Sequence, residues 1–152
     1  MPKRIYWVAD IFVKAYILSM DGKRRTPYDM ARLFAALADP TRLRLLHLMD
    51  GSEVCVCYFV EILGQSQPKI SRHLAYLRRA GIVAARREGK WMHYRIVEPV
   101  ESGAAKILRE TVTVLHDDKA MRGDLVRLNT ACCAPQKLVA LDGAPVPVAI
   151  GH

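Results

Sequence analysis

From Tyr28 onward, apolar positions recur at helical spacing. Met30, Leu33, Phe34 and Leu37 stand at i, i+3, i+4 and i+7, the stripe of an amphipathic helix. The next helix is announced by Asp39, an N-cap residue, and by Pro40, which suits a first turn; Leu45, Leu46, Leu48 and Met49 form its buried side, and Asp50-Gly51 ends it. A third, short helix is predicted to begin within Glu53–Phe59 and to stop after Leu63 at Gly64. A fourth runs from Ser66 or Gln67, with Pro68 in its first turn, to Gly81, its inner stripe being Ile70, Leu74 and Leu77. The pattern then changes. "IVAARREGKWMHYRI" has two β-prone arms around Glu88-Gly89, a turn pair. From Glu98 to His116 the helical period returns, with Val100, Ala104, Ile107, Leu108, Thr111 and Leu115 on one side.

These elements predict a mainly α fold with a small β-hairpin (α+β), a winged helix-turn-helix. A compact winged domain leaves little core for the face of the Glu98–His116 helix, so that face is expected to pair with its copy in a homodimer. Three regions follow: an N-terminal extension over 1–26, a DNA-binding and dimerisation domain over 27–118, and a C-terminal tail over 119–152. In the extension, Ile5–Leu18 is apolar but is broken by Asp10 and Lys14, falls short of a bilayer span, and has no small-residue cleavage site after it. It reads as an extra helix, or as upstream residues if Met20 or Met30 is the true start. In the tail, "KAMRGDLVRLNTACC" allows one more helix, while "LDGAPVPVAIGH" has the Pro and Gly of a mobile end.

Charge narrows the partner. The chain has 152 residues and a formal net charge of +8, enough to be drawn to a polyanion. Between Gln65 and Arg95 stand Lys69, Arg72, Arg78, Arg79, Arg86, Arg87, Lys90 and Arg95 against the single acid Glu88. On the fourth helix, Lys69, Arg72, His73 and Tyr76 share the face opposite the apolar stripe. With Gln67 and Ser71 they are the residues expected to read double-stranded operator DNA in the major groove, while Arg86, Arg87 and Lys90 of the hairpin reach phosphates of an adjacent groove. Trp91 and Tyr94 are expected to pack the hairpin on the body.

Four segments, "LADPTRLRLL", "EVCVCYFVEIL", "QSQPKISRHLAYLRRAGIV" and "REGKWMHYRI", resemble in order and spacing the ArsR/SmtB family of metal-sensing winged-helix repressors, most of all the arsenical-resistance operon repressors. The resemblance runs from Tyr28 to Leu115. It implies a cytoplasmic homodimeric repressor, not an enzyme, that binds a near-palindromic operator and leaves it when As(III) or Sb(III) binds, with no organic cofactor and no membrane partner.

The cysteines fit that implication. As(III) is thiophilic and favours three thiolates, and the chain offers Cys55 and Cys57 near the start of the third helix and Cys132 and Cys133 in the tail. Residues at i and i+2 of a regular helix point about 200° apart. Cys55 and Cys57 can therefore meet on one ion only if the backbone there is extended or unwinds, and chelation would deform the helix that supports the DNA reader. The familiar repressors with this motif have a third cysteine three residues after the second, where this chain has Val60. Cys132 and Cys133 are the candidate replacements. A zinc site is not expected: Glu98, Glu101, His116, Asp117 and Asp118 lack a ligand spacing, and His47, His73 and His93 read as surface or DNA-facing. Two alternatives stay open, a thiol sensor of another soft metal or of oxidants on the same fold, and a thiol reductase or metal-transfer protein, for which no C-x-x-C motif speaks.

Overall fold

The computed structural model describes residues 27–134, 138 and 141–150; the Ile5–Leu18 run lies outside them. Helix α1, Met30–Leu37, starts where Asp29 accepts a hydrogen bond from the Arg32 N–H at 3.0 Å. It buries Leu33 and Ala36. Phe34, expected on the buried stripe, is 54 % exposed, because so short a helix meets the body along one narrow line.

Helix α2, Pro40–Leu48, is capped by Asp39, which accepts from the Arg42 N–H at 2.9 Å. The Arg42 guanidinium folds back to donate to the carbonyls of Ala35 and Ala36, each at 2.7 Å, satisfying acceptors that the end of α1 leaves open. Leu45, Leu46, Leu48 and Met49 are buried as expected. So is His47. Burial lowers its pKa, helped by the nearby His116, whose ring stands edge-on at 4.9 Å, so His47 is a neutral core residue rather than a surface one. His93 is buried as well, and the expectation of a surface place for it is corrected in the same way.

Strand β1, Ser52–Cys55, has no counterpart among the predicted elements, since four residues with no clear alternation carry no β signal. It pairs antiparallel with β3, Trp91–Ile96, in the register Val54↔Tyr94 and Cys55↔His93. β3 pairs in turn with β2, Val83–Glu88, through a tight turn at Gly89-Lys90, where Gly89 has φ +57°. A two-residue strand β4, Val148–Ala149, lies on the other edge of β1, giving the order β2-β3-β1-β4. Helix α3, Val56–Leu63, leaves β1 directly and ends at Gly64, whose φ of +61° no other residue type adopts as freely. Helix α4, Gln67–Arg79, packs on it.

Helix α5, Ser102–Leu115, buries Ala104, Ala105, Leu108 and Val112 and packs on α2 of its own subunit. The expected stripe is thus partly used at home, and Val100, at 80 % exposed, is not part of the core. Helix α6, Lys119–Cys133, occupies the segment expected as a tail. It packs on α2 and α3 with Met121, Leu128 and Ala131 buried.

What fixes α6 is a charge. Asp124 is fully buried and accepts from Arg44 Nε at 2.6 Å and Arg44 Nη2 at 2.8 Å, with Arg127 also donating to it. Burial pushes its pKa up, but the two guanidinium groups outweigh that and hold it below the ordinary carboxylate value. Asp124→Ala should destabilise the fold by ~3–5 kcal/mol, since Arg44 is left partly buried and unpaired. Urea denaturation reads this directly, and a midpoint equal to that of the parent chain would refute the anchoring role.

Candidate nucleic-acid interface and thiol pair

Helices α3 and α4 form the turn between Gly64 and Ser66, and the Gln65 amide reaches back to donate to the Thr41 hydroxyl of α2 at 3.3 Å. Ile70, Leu74 and Leu77 are fully buried, which turns the opposite side of α4 to solvent. Gln67, Lys69 and Arg72 are exposed there, and Ser71 is half-buried between them. His73 and Tyr76, expected on the same open face, lie at its edge against α2. His73 Nδ1 is 3.6 Å from Asp39 Oδ1, and the Tyr76 ring carries the Arg42 guanidinium 4.3 Å from its centroid and that of Arg79 at 5.7 Å. The Tyr76 ring thus supports basic groups as much as it extends the face.

On the hairpin, Arg87 and Lys90 are exposed at the tip, Arg87 Nε donating to the Gly89 carbonyl at 3.0 Å and Lys90 Nζ standing 4.8 Å over the Trp91 ring. Arg86 differs. It is held by Glu53 of β1 at 2.6 Å and by Glu88 at 2.7 Å, so it enters any phosphate contact only by changing partners. Glu53 carries no chemistry the sequence pattern would single out; the unexpected strand β1 is what brings it to the hairpin. Tyr94 is buried with its ring 6.4 Å from that of Phe59, and Trp91 is half-buried, so the aromatic residues of the hairpin do pack on the body.

The thiol pair sits where β1 becomes α3. Cys55 is extended, with φ −70° and ψ +143°, and Cys57 lies in the first turn of the helix, so the two side chains converge instead of diverging. Their sulfurs are 2.9 Å apart, with the Cys57 thiol donating to Cys55. That hydrogen bond lowers the Cys55 pKa to about 7 against the opposing effect of burial, and backbone N–H groups of Cys57, Met92 and Val56 add to the lowering. Cys57 holds its proton correspondingly harder, its pKa raised first by the same bond. The pair is thus poised for the Cys55 thiol to ionise first while Cys57 keeps its proton.

Cys132 and Cys133 end α6. Cys132 is half-buried and packs against the core, whereas Cys133 is exposed. Tyr58, which nothing in the sequence pattern marks, is fully buried, and among the described residues its hydroxyl makes no close hydrogen bond, interacting with the Cys132 thiol beside it. Burial, followed by the neighbouring thiols of Cys132, Cys57 and Cys55, pushes its pKa up to about 12. Among the described residues no three His, Cys, Asp or Glu side chains stand close enough to hold a metal ion. No described helix is long and apolar enough to cross a membrane.

Residues 39–85 match the family described as "Bacterial regulatory protein, arsR family". The arsenical resistance operon repressor of Escherichia coli (strain K12) is 50 % identical over 80 residues, 52 % of this chain and 68 % of that one. The arsenic resistance transcriptional regulator ArsR2 of Pseudomonas putida is 39 % identical over 117 residues, 71 % of this chain and 98 % of that one. A probable mercury resistance operon repressor of Streptomyces lividans is 47 % identical over 73 residues, 48 % of this chain and 58 % of that one.

The order of ionisation has a measurable consequence. In the reduced chain, thiolate absorbance should reveal one group ionising near about 7, and Cys57→Ala should return that ionisation toward the ordinary thiol value of about 8.5. The sign follows from the donor: removing the S–H that stabilises the thiolate raises its pKa. Identical titrations of the two proteins would exclude the hydrogen bond between the thiols.

Proposed function

Because the chain belongs to the arsR family of bacterial regulatory proteins, we propose that it is the repressor of an arsenic-resistance operon, a homodimer that binds a near-palindromic operator and leaves it when As(III) or Sb(III) is captured by Cys55 and Cys57. The observation that carries this reading is the pair of sulfurs 2.9 Å apart at the junction of β1 and α3. Two soft donors already side by side, one of them readily ionised, suit a thiophilic ion. A helix-turn-helix with Gln67, Lys69 and Arg72 on its open face suits DNA.

The position of the pair explains how one event excludes the other. Cys55 is hydrogen-bonded into the sheet opposite His93 of β3, whose hairpin partner β2 carries Arg86 and Arg87. Cys57 lies in α3, on which α4 packs. A ligand that draws the two sulfurs into its own geometry therefore strains the support of the reading helix and the root of the wing together, and binding at either site weakens the other by the same factor.

A second reading keeps the fold and changes the ion. Two adjacent thiolates would also take mercury, and the relative from Streptomyces lividans is named for mercury resistance. The test is binding of the reduced chain to DNA upstream of its own gene, followed by fluorescence anisotropy while arsenite, antimonite or mercuric ion is added. Arsenite or antimonite should release the chain and leave a Cys55→Ser, Cys57→Ser double variant bound. Release by mercuric ion alone would favour the second reading. Absence of DNA binding would overturn both. The affinity should also fall steeply with salt, log K dropping by roughly 0.9 per phosphate contact for each unit of log salt, and a flat dependence would contradict docking through Lys69, Arg72, Arg87 and Lys90.

A further inference from the structure

The register of the sheet puts a thiol and a cation of the wing in one row. Cys55 of β1 stands opposite His93 of β3, and His93 stands opposite Arg86 of β2. Residues opposite one another point to the same side of a sheet, and so do residues two apart on one strand, which adds Glu53 to that side. β1 and β2 are not neighbours, because β3 runs between them. Across two strand spacings, about 10 Å of sheet, the side chains nevertheless meet. Arg86 Nη2 and Nε both donate to Glu53 Oε1, at 2.6 and 3.0 Å.

Glu53 is also where β1 changes partners. Ser52 and Glu53 pair with Ala149 and Val148 of β4, whereas Val54 and Cys55 pair with β3. The main chain of Glu53 pairs away from the hairpin, so its side chain makes the connection. Glu88 accepts from Arg86 Nη1 at 2.7 Å as well, but it belongs to β2 and travels with Arg86. Of the two carboxylates, Glu53 is the one on the strand that carries Cys55. It is also the drier, 14 % exposed against 59 % for Glu88, so water competes with it less. The hydrogen bonds from Arg86 outweigh burial and hold its carboxyl below the ordinary value, which keeps it ionised.

Resting on the repressor reading above, we propose that Glu53 couples the thiol pair to the wing by withholding Arg86 from the DNA phosphates. Carboxylate and phosphate compete for one guanidinium. The closed Glu53–Arg86 pair and the converged sulfurs occur together in one structure. A ligand that selects the converged sulfurs therefore selects the strand position in which Glu53 keeps Arg86. DNA selects the opposite position and, by reciprocity, weakens the thiol site. Glu53 is a positioning residue, since it acts on the DNA only through Arg86.

The experiment measures affinity for DNA upstream of the gene by fluorescence anisotropy, with and without arsenite. It compares the full, reduced chain with Glu53→Gln, Glu88→Gln, Arg86→Ala and the Glu53→Gln, Arg86→Ala double variant. Glutamine keeps the size and removes the charge, and Glu88→Gln controls for the change in net charge. Glu53→Gln should gain up to about fivefold in affinity with arsenite present, the scale of one partly exposed ion pair, and less without it, so the ratio of the two affinities shrinks. Its salt slope with arsenite should steepen by about 0.9, one phosphate contact. Glu88→Gln should leave the ratio at the wild-type value, and in the Arg86→Ala background Glu53→Gln should change nothing. An unchanged ratio in Glu53→Gln, an equal shrinkage in Glu88→Gln, or a gain that survives in the Arg86→Ala background would overturn this assignment while leaving the repressor reading standing. A wild type that binds DNA and ignores arsenite would remove the metalloid reading, and this coupling with it; one that binds no DNA would remove the repressor reading as well.

Discussion

The thiol chemistry and the support of the reading helix both depend on one backbone transition, from extended to helical at Cys55. A continuous helix through Glu53–Phe59 would send the two cysteine side chains to opposite sides. A continuous strand would put them on one face but a full pleat repeat apart. The change of conformation between them brings the sulfurs to 2.9 Å. The sheet pins one side of the change by pairing Val54 and Cys55 with β3, and the burial of Val56, Tyr58, Phe59 and Ile62 pins the other. The unpaired N–H groups of the first helical turn then favour a thiolate at the spot where both constraints meet.

A different kind of constraint holds α6. Its apolar contacts with α2 and α3 could be made in more than one rotation, because small residues such as Ala131 specify position weakly. Asp124 removes that freedom. A carboxylate cut off from water is tolerable only with its partners in place, so any rotation that separates it from Arg44 is strongly disfavoured. The exposed pairs of this chain, Arg32 with Asp29 or Arg109 with Glu98, have no comparable hold, since solvent screens them and their side chains lose freedom in pairing.

The four helices from Met30 to Arg79 and the hairpin were legible from caps, stops and stripes, because each of those signals is local: Asp39 before Pro40, Gly64 and Gly81 after apolar runs, a turn pair between β-prone arms. What escaped was non-local. β1 has no pattern of its own and exists because β3, far along the chain, offers it an edge. The helix that the sequence allowed over Lys119–Cys133 is present as α6, but its docking was not legible: a buried aspartate in the middle of its inner face reads as an interruption of a hydrophobic pattern, and its acceptance depends on Arg44 of another helix. His47 shows the same limit from the other side: its burial beside His116 is decided by the packing of α5 on α2, not by its neighbours in sequence. The cysteines were legible as chemistry, while their convergence was not, since it rests on the strand.

Arg86 brings these strands of argument together. Its partner Glu53 lies two residues before Cys55 on the same strand, so the carboxylate that occupies this guanidinium moves with the backbone that carries the thiols. The Arg86 side chain is half exposed, and an ion pair in that setting is screened by solvent and holds only weakly, so a phosphate can readily replace the carboxylate. In the proposed repressor Arg86 would therefore be exchanged between Glu53 and DNA at little cost, with the balance set by where β1 stands relative to β2. A wing built this way has one cation, Arg86, whose availability depends on the geometry of the sheet, and two, Arg87 and Lys90, whose availability does not. Of these three cations, only the first would make the affinity of the proposed repressor for DNA sensitive to a change at Cys55 without any movement of the wing itself.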